Sequence, residues 1–251
     1  MDNKLAIIIL AAGKGTRMKS NLAKVLHPIH GRPMIQYVVD AARGAAGRNI
    51  VLVVGHQADE VRRVVSGDAE VGYARQDEQL GTGHAVVCAL PELPPASEDV
   101  VILCGDVPLI RTETILELVA DHRAAGRDVT VLAVDVPDPA GYGRIICSDD
   151  NRLRAIVEEA DATETQKRIS VINSGIYCAS RSFLAEILPK LQSNNAQQEF
   201  YLTDIITLGN DAGRRIGMMM GAHHNEVLGV NTVKELGIVA DLMVAQGRII
   251  P

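Results

Sequence analysis

From Leu5 to Leu10 the chain is continuously apolar (LAIIIL), the pattern of a strand covered on both faces. From about Pro33 the period changes to helical spacing, with Met34, Val38, Ala41 and Ala45 on one side. The alternation then repeats. NIVLVVG (49–55) predicts a strand, ADEVRRVVSG (58–67) a helix, AEVGYAR (69–75) a strand, and the segment from about Gly83 a helix. DVVILCGD (99–106) predicts a strand, TETILELVADHRAAG (112–126) a helix with Thr112 as its N-cap, and DVTVLAVDV (128–136) another strand. Strands alternating with helices imply an α/β fold, a Rossmann-like, doubly wound, mostly parallel sheet.

After about Gly141 the pattern turns strand-rich: GRIICS (143–148), LRAIVEE (153–159) and SVINSGIYCAS (170–180). These runs predict a small antiparallel addition at the sheet edge, or a lid. SFLAEILPKL (182–191) and YLTDIITLGNDAG (201–213) read as helices. A last helix opens at Thr232, with Glu235 at the spacing of a capping box. No Pro/Gly/Ser-rich linker, internal repeat or charge block divides the chain, and LPELPPASED (90–99) is a surface loop.

Composition narrows the function classes. The 251 residues are 47% hydrophobic and 22% charged, which suits a globular protein. No apolar run approaches the roughly 20 residues of a membrane span, and LAIIIL lacks the flanks of a secretory signal. Four cysteines (88, 104, 147 and 178) show no CxxC spacing, and three lie in apolar strand-like runs; they read as reduced core residues of a cytoplasmic protein. A net charge of −6 argues against nucleic-acid or membrane partners. The charge is uneven, however: residues 1–39 hold six Lys/Arg and one acid, so the glycine-bearing stretch LAAGKGTRMKSNLAK is basic within an acidic protein. A small polyanion fits this better than a duplex does.

In doubly wound sheets, ligands sit beyond the carboxyl ends of the strands. LAAGKGT follows the first predicted strand and Gly105-Asp106 follows VVILC, so both turns fall on one sheet edge. Taken alone, Gly13-Lys14-Gly15 is neither a dinucleotide fingerprint, lacking the third glycine, nor a Walker A loop. It could equally be a tight strand–helix turn with solvated lysines. Small residues at Ala11, Ala12 and Gly13 would let backbone N–H groups approach a phosphate, and Arg17 and Lys24 could neutralise its charge.

The longer pattern is more specific. LAAGKGTRM followed by KVLHPIHGRPM resembles the signature of sugar nucleotidyltransferases. QDEQLGTGHA (76–85), LCGDVPLI (103–110), GYGRII (141–146), IVEE with Asp161-Ala162-Thr163, INSGIY (172–177), the 194–204 segment NNAQ-EFYLTD and EVLGVNT (226–232) then follow in order. Together they resemble, over essentially the whole chain, the uridylyltransferase domain of the bacterial bifunctional N-acetylglucosamine-1-phosphate uridylyltransferases. The resemblance implies that UTP and a sugar-1-phosphate are joined with loss of pyrophosphate, with Mg²⁺ as cofactor. It implies that Leu10, Ala11, Ala12 and Gly13 line the nucleotide site, that Gln76 bonds uracil, and that Gly81 and Thr82 close on the base. It implies Asp106 and Asn231 as metal ligands, Gly143, Glu158 and Asn173 as sugar contacts, and Arg17 and Lys24 on the phosphates. With a phosphate as nucleophile no general base is needed, so alignment and charge neutralisation carry the reaction.

Each residue also has a plainer reading. Asp106 could cap a turn, Asn173 and Asn231 could be turn residues, and Glu158 has Glu159 beside it. His27, His30, His84, His122, His223 and His224 form no metal-spaced set and read as structural or surface residues.

Two substitutions depart from the family pattern. Ala23 stands where a proline usually precedes the lysine, which is expected to loosen that loop. Ala160 stands where a lysine is usual, which leaves sugar choice open. DLMVAQGRIIP (241–251) resembles the start of the β-helix acetyltransferase half, and no hexapeptide repeat follows. The expectation is therefore a transferase domain over 1–231, a linker-like helix over 232–251, no acetyltransferase activity, and no trimerising β-helix. Alternatives are transfer of uridylyl or thymidylyl to another hexose-1-phosphate, or a nucleotide-sugar sensor without turnover.

Overall fold

The structure is a computed structural model and describes residues 2–66 and 71–248. Its elements are β1 (Leu5–Ala11), β2 (Pro28–Ile29), β3 (Arg32–Pro33), α1 (Met34–Ala46), β4 (Ile50–Val54), α2 (Ala58–Ser66), β5 (Gly72–Arg75), α3 (Thr82–Ala89), β6 (Asp99–Cys104) and α4 (Thr112–Ala124). They continue with β7 (Val129–Asp135), β8 (Gly143–Cys147), β9 (Leu153–Val157), β10 (Val171–Ser180), α5 (Arg181–Ile187), α6 (Asp204–Asp211), β11 (Ile216–Met220) and α7 (Val233–Ala245).

The main sheet runs β11-β7-β10-β6-β1-β4-β5. β1 pairs in parallel with β4 and β6, and β4 with β5. The unbroken apolarity of β1 has a direct cause. Ile7 and Ile9 enter one core with residues of α1 and α4, while Ala6 and Ile8 enter a second core with residues of α3 and α5. A strand buried on both faces has no polar side to alternate.

SVINSGIYCAS is not the edge element its pattern suggested. β10 is antiparallel and lies in the middle of the sheet, between β6 and β7. Only the hairpin of β8 and β9 is an addition, and it pairs with the first half of β10 at Ile172 and Asn173. The second half, from Tyr177, pairs with β6. The register against β7 shifts between Asn173 and Tyr177. At this bulge Gly175 has φ +78, and a Cβ there would lie 2.9 Å from Cys104 Sγ. The bulge therefore marks the place where β6 gives way to β8 as the neighbour of β10, and the sheet opens there.

Other expectations need correction in detail. Thr112 begins α4 but does not cap it; its hydroxyl donates to the Ala41 carbonyl on α1 at 3.0 Å. β11 was not legible at all. IGMMM is only half buried, at the sheet edge beside β7. The expected strand AEVGYAR begins partly outside the described residues, and its visible part is Gly72–Arg75. The four cysteines are free, but Cys147 is exposed rather than core. Among the described residues no helix is long and apolar enough to cross a membrane.

α7 packs Val239 and Met243 into the first core. Its capping box is complete: Thr232 Oγ1 accepts from the Glu235 N–H at 3.2 Å, and Glu235 Oε2 accepts from Thr232 N at 2.8 Å. The same carboxylate oxygen also accepts from Asn231 N at 2.7 Å. The helix start thus fixes the backbone of the residue just before it. Thr232→Ala is expected to cost about 1 kcal/mol of stability, read as a lower midpoint in urea unfolding.

Candidate functional site

Three strand ends come unusually close at one edge of the sheet, and two glycines permit it. Gly105 N donates to the Leu10 carbonyl at 2.9 Å, and a Cβ on Gly105 would lie 2.9 Å from that oxygen. On the other side of β1, a Cβ on Gly55 would lie 2.9 Å from both the Cβ and the carbonyl oxygen of Ala12. Any side chain at either position would wedge the turns apart. The turns after β1, β4 and β6 are thereby brought to one place.

The basic loop after β1 is then folded back over this edge. Gly15 (φ +64) is needed there, because a Cβ would meet Lys24 Cβ at 2.4 Å. Lys24 Nζ forms an ion pair with Asp106 Oδ2 and donates to Asn231 Oδ1 at 3.0 Å. Arg17 Nη2 donates to the same Asn231 oxygen at 2.9 Å. Four predicted residues from three distant segments are therefore one cluster. The Lys24 and Asp106 side chains are only 17% and 18% exposed, so their attraction is less screened than that of a surface pair.

Two adjoining clefts open from this cluster and share Leu10, Thr82, Cys104 and Asp106 as a wall. The first, about 260 Å³, is also lined by Ala11, Ala12, Gly13, Lys24, Gln76 and Gly81. The second, about 200 Å³, is also lined by Gly143, Glu158, Asn173 and Asn231. All the expected site residues line one of the two clefts, except exposed Arg17, which joins through Asn231.

In the first cleft Gln76 is buried, with Nε2 at 3.0 Å from the Gly81 carbonyl and 3.1 Å from His84 Nδ1. Both contacts use the amide nitrogen, so its carbonyl oxygen is the group left for a partner. The wall behind it is held by the 194–203 loop. Phe200 N donates to the Leu80 carbonyl, Gly83 N donates to the Phe200 carbonyl, and Leu202 N donates to Thr82 Oγ1. Gly81 has φ +114, and a Cβ there would lie 2.6 Å from the Phe200 carbonyl oxygen, so no other residue fits.

In the second cleft the two neighbouring glutamates separate. Glu158 lies against Gly143, whose Cβ would be 3.4 Å from Glu158 Oε2. Glu159 instead pairs with the buried Arg144 at 2.7 Å, outside the cleft. Asn173 Oδ1 accepts from Gly175 N at 3.0 Å, so this residue shapes the bulge, and its side chain also hydrogen-bonds Tyr177 beside the cleft. Burial pushes the Glu158 carboxyl above its ordinary range, and the charges of Asp204, Asp161 and Glu199 add to this. Burial also raises Glu199 and Asp204. At the shared wall Cys104 is pushed up to about 12 by burial and by Asp106, so it stays a neutral thiol.

Several neighbours went unrecognised in the sequence. His84 was read as structural or surface, yet it stands directly behind Gln76. Its place eight residues on, in the first turn of α3, was the available signal. Gln79 and Glu199 also line the first cleft. The loop at Ala23 is not slack, because its N–H donates to Gln57 Oε1 at 2.5 Å.

A sequence profile of the MobA-like NTP transferase domain matches residues 7–194. The bifunctional protein GlmU of Desulfotalea psychrophila is 46% identical over 237 residues, which is 94% of this chain and 70% of that protein. The chain belongs to the MobA-like NTP transferase family. It is by family a nucleotidyltransferase. GlmU of Geotalea uraniireducens is 49% identical over 98% of this chain and 54% of that protein. GlmU of Geobacter sulfurreducens is 52% identical over 96% of this chain and 50% of that protein. The chain thus spans about half the length of these two relatives. A solved structure assigned as a glucose-1-phosphate thymidylyltransferase from Bacillus anthracis, in complex with sucrose, superposes with a TM-score of 0.75. It covers 95% of this chain and 94% of its own at 22% identity, which supports the fold.

The raised carboxyls set a pH dependence of stability. An acid whose folded pKa is raised holds its proton more tightly in the folded state. The contribution of these groups to stability is therefore fullest below the ordinary carboxyl range and is lost as pH rises through the raised value. Glu158→Gln is expected to flatten that fall as pH rises from the ordinary carboxyl range towards neutrality, measured as a smaller change in urea midpoint than in the unaltered protein.

Proposed function

We propose that the protein transfers uridylyl from UTP to N-acetylglucosamine-1-phosphate, releasing pyrophosphate and using Mg²⁺. The observation that carries this reading is the pair of clefts sharing one wall at Asp106, with Lys24 and Arg17 gathered beside it. Such a wall holds two anionic substrates against each other, and the basic residues offset their repulsion. The strong likeness to the GlmU proteins supports the substrate pair.

The residues divide the work as follows. The small side chains of Leu10 to Gly13 let the nucleotide approach the backbone of the loop. Gln76, with its nitrogen committed to Gly81 and His84, would accept the imide N–H of uracil through Oε1. A cytosine ring, unprotonated at that position, offers only an acceptor there and would be rejected. Glu158 and the Asn173 amide would take the sugar's hydroxyls and its acetamido or phosphate oxygens. Lys24 and Arg17 would hold the phosphates so that a sugar-phosphate oxygen faces the α-phosphorus in line with the bridging oxygen to the β-phosphate. The new P–O bond forms as that bridge breaks, and pyrophosphate carries away the electron pair.

Asp106 and Asn231 fit a hard divalent cation, since a carboxylate and an amide oxygen already converge on the Lys24 ammonium. Among the described residues no group of three or more His, Cys, Asp or Glu could hold a metal. That suits Mg²⁺, which keeps waters and substrate phosphates in its shell. When bound, the ion supplies charge neutralisation at the reacting phosphates. This reading goes with a cytoplasmic transferase unit over residues 1–231, followed by the linker-like helix α7, which packs Val239 and Met243 back onto the first core. A second sugar-1-phosphate remains a competing reading, because Ala160 is exposed and the second cleft is lined by no Lys or Arg among the described residues.

The test is pyrophosphate release from UTP with N-acetylglucosamine-1-phosphate or glucose-1-phosphate, with Mg²⁺ and with EDTA. Release is expected with the acetamido sugar and Mg²⁺, and EDTA should abolish it. Asp106→Asn is expected to lower kcat by at least about 100-fold with thermal unfolding little changed. Full activity in EDTA would refute the metal role, and preference for glucose-1-phosphate would move the substrate.

A further inference from the structure

The loop that carries Arg17 and Lys24 is long, exposed and rich in small residues, yet Lys24 sits at a defined place. What holds it there is the turn after β4. His56 N donates to the Ala12 carbonyl at 3.2 Å, fastening the start of the loop. The side chain of Gln57 fastens its end. Gln57 Nε2 donates to the Asn21 carbonyl at 3.0 Å, and Gln57 Oε1 accepts from Ala23 N at 2.5 Å. An amide is the side chain suited to this, because it bridges a carbonyl and an N–H at once.

Gln57 is itself built for the purpose. Its φ is +52, a conformation that L side chains adopt reluctantly. Its carbonyl accepts from Glu60 N and Val61 N, both at 3.1 Å, in the first turn of α2. The scaffold therefore imposes the unusual backbone, and that backbone aims the amide at the loop. Ala23 is buried, with φ −54 and ψ 136, and Lys24 follows it directly. Gly15 closes on the Lys24 stem from the other side.

We propose that Gln57 is a positioning residue for Lys24: its amide clamps residues 21–23, so that the ammonium next along the chain meets Asp106 and Asn231. Gln57 touches neither cleft and acts only through the loop. The proposal rests on the phosphate-binding role of Lys24 for its effect on turnover, but the clamp itself can be read without turnover.

The geometry supplies an unusual test. A proline at position 23 would suit φ −54, but its ring would occupy the space now taken by Gln57 Oε1. Ala23→Pro should therefore be harmful beside Gln57 and helpful without it. Gln57→Gly removes the amide and also relieves the positive φ, so it should leave the melting temperature unchanged or higher. In this variant the Ala23 amide should exchange with solvent at least about tenfold faster, trypsin should cut faster after Lys19 and Lys24, and kcat should fall about tenfold. Adding Ala23→Pro to Gln57→Gly should restore slow cleavage and bring kcat back to within about twofold, although Ala23→Pro alone lowers it. Unchanged amide exchange and cleavage in Gln57→Gly would overturn the clamp. Faster exchange with undiminished kcat would overturn the positioning role, and so would a double variant no better than Gln57→Gly. If the unaltered protein shows no transfer at all, the transferase reading fails, while exchange and cleavage still decide whether Gln57 holds the loop.

Discussion

The ammonium of Lys24, held between Asp106 and Asn231, is the contact on which the rest of this site depends. It joins a loop after the first strand, a turn after β6 and the residue before the last helix. A half-buried cation and carboxylate lose hydration when they meet, so the pair is worth having only where both backbones are already in place. Here they are. Gly105 brings Asp106 against the end of β1, the Glu235 carboxylate fixes Asn231, and Gly15 packs on the Lys24 stem. The pair is a result of the scaffold more than a cause of it.

The second cleft follows from one irregularity in the sheet. Without the bulge in β10, β6 and β8 would compete for the same flank of that strand. With it, the two neighbours succeed each other along β10, and the gap between their ends becomes the second cleft. The first cleft has a different origin. It is walled by a turn that only glycine can make at position 81, against a loop that donates and accepts backbone hydrogen bonds like an extra strand.

The parallel half of the fold was readable because burial on both faces leaves a plain mark: LAIIIL, IVLVV and VVILC have no polar alternation. The capping box at Thr232 was readable because its chemistry is local. The central place of β10 was not, since a buried antiparallel strand and an edge strand can share one apolar pattern, and only long-range pairing tells them apart. β11 escaped because its methionines are half exposed. At the site, the ordered motifs indicated Lys24, Asp106, Asn173 and Asn231, and the fold brings them together. They did not single out His84, which bonds Gln76 from the first turn of α3, and they could not indicate Gln57, whose amide reaches across to Asn21 and Ala23.

The insertion of β10 also bears on the order in which the protein can fold. β7 ends at Asp135, but its two neighbours, β10 and β11, begin at Val171 and Ile216. As the chain emerges from a ribosome, the strands β1, β4, β5 and β6 can assemble from contiguous sequence, while β7 must wait with both edges unpaired. It is a strongly apolar strand with open N–H and C=O groups on each side, the kind of segment that seeks strands in other chains. The late-made β10 must then enter between two strands already synthesised, a non-local step that contact order makes slow. A fold that places its bulge at the centre of the sheet to open a cleft therefore passes through a stage in which that centre is missing, and newly made chains are exposed to aggregation until it is filled.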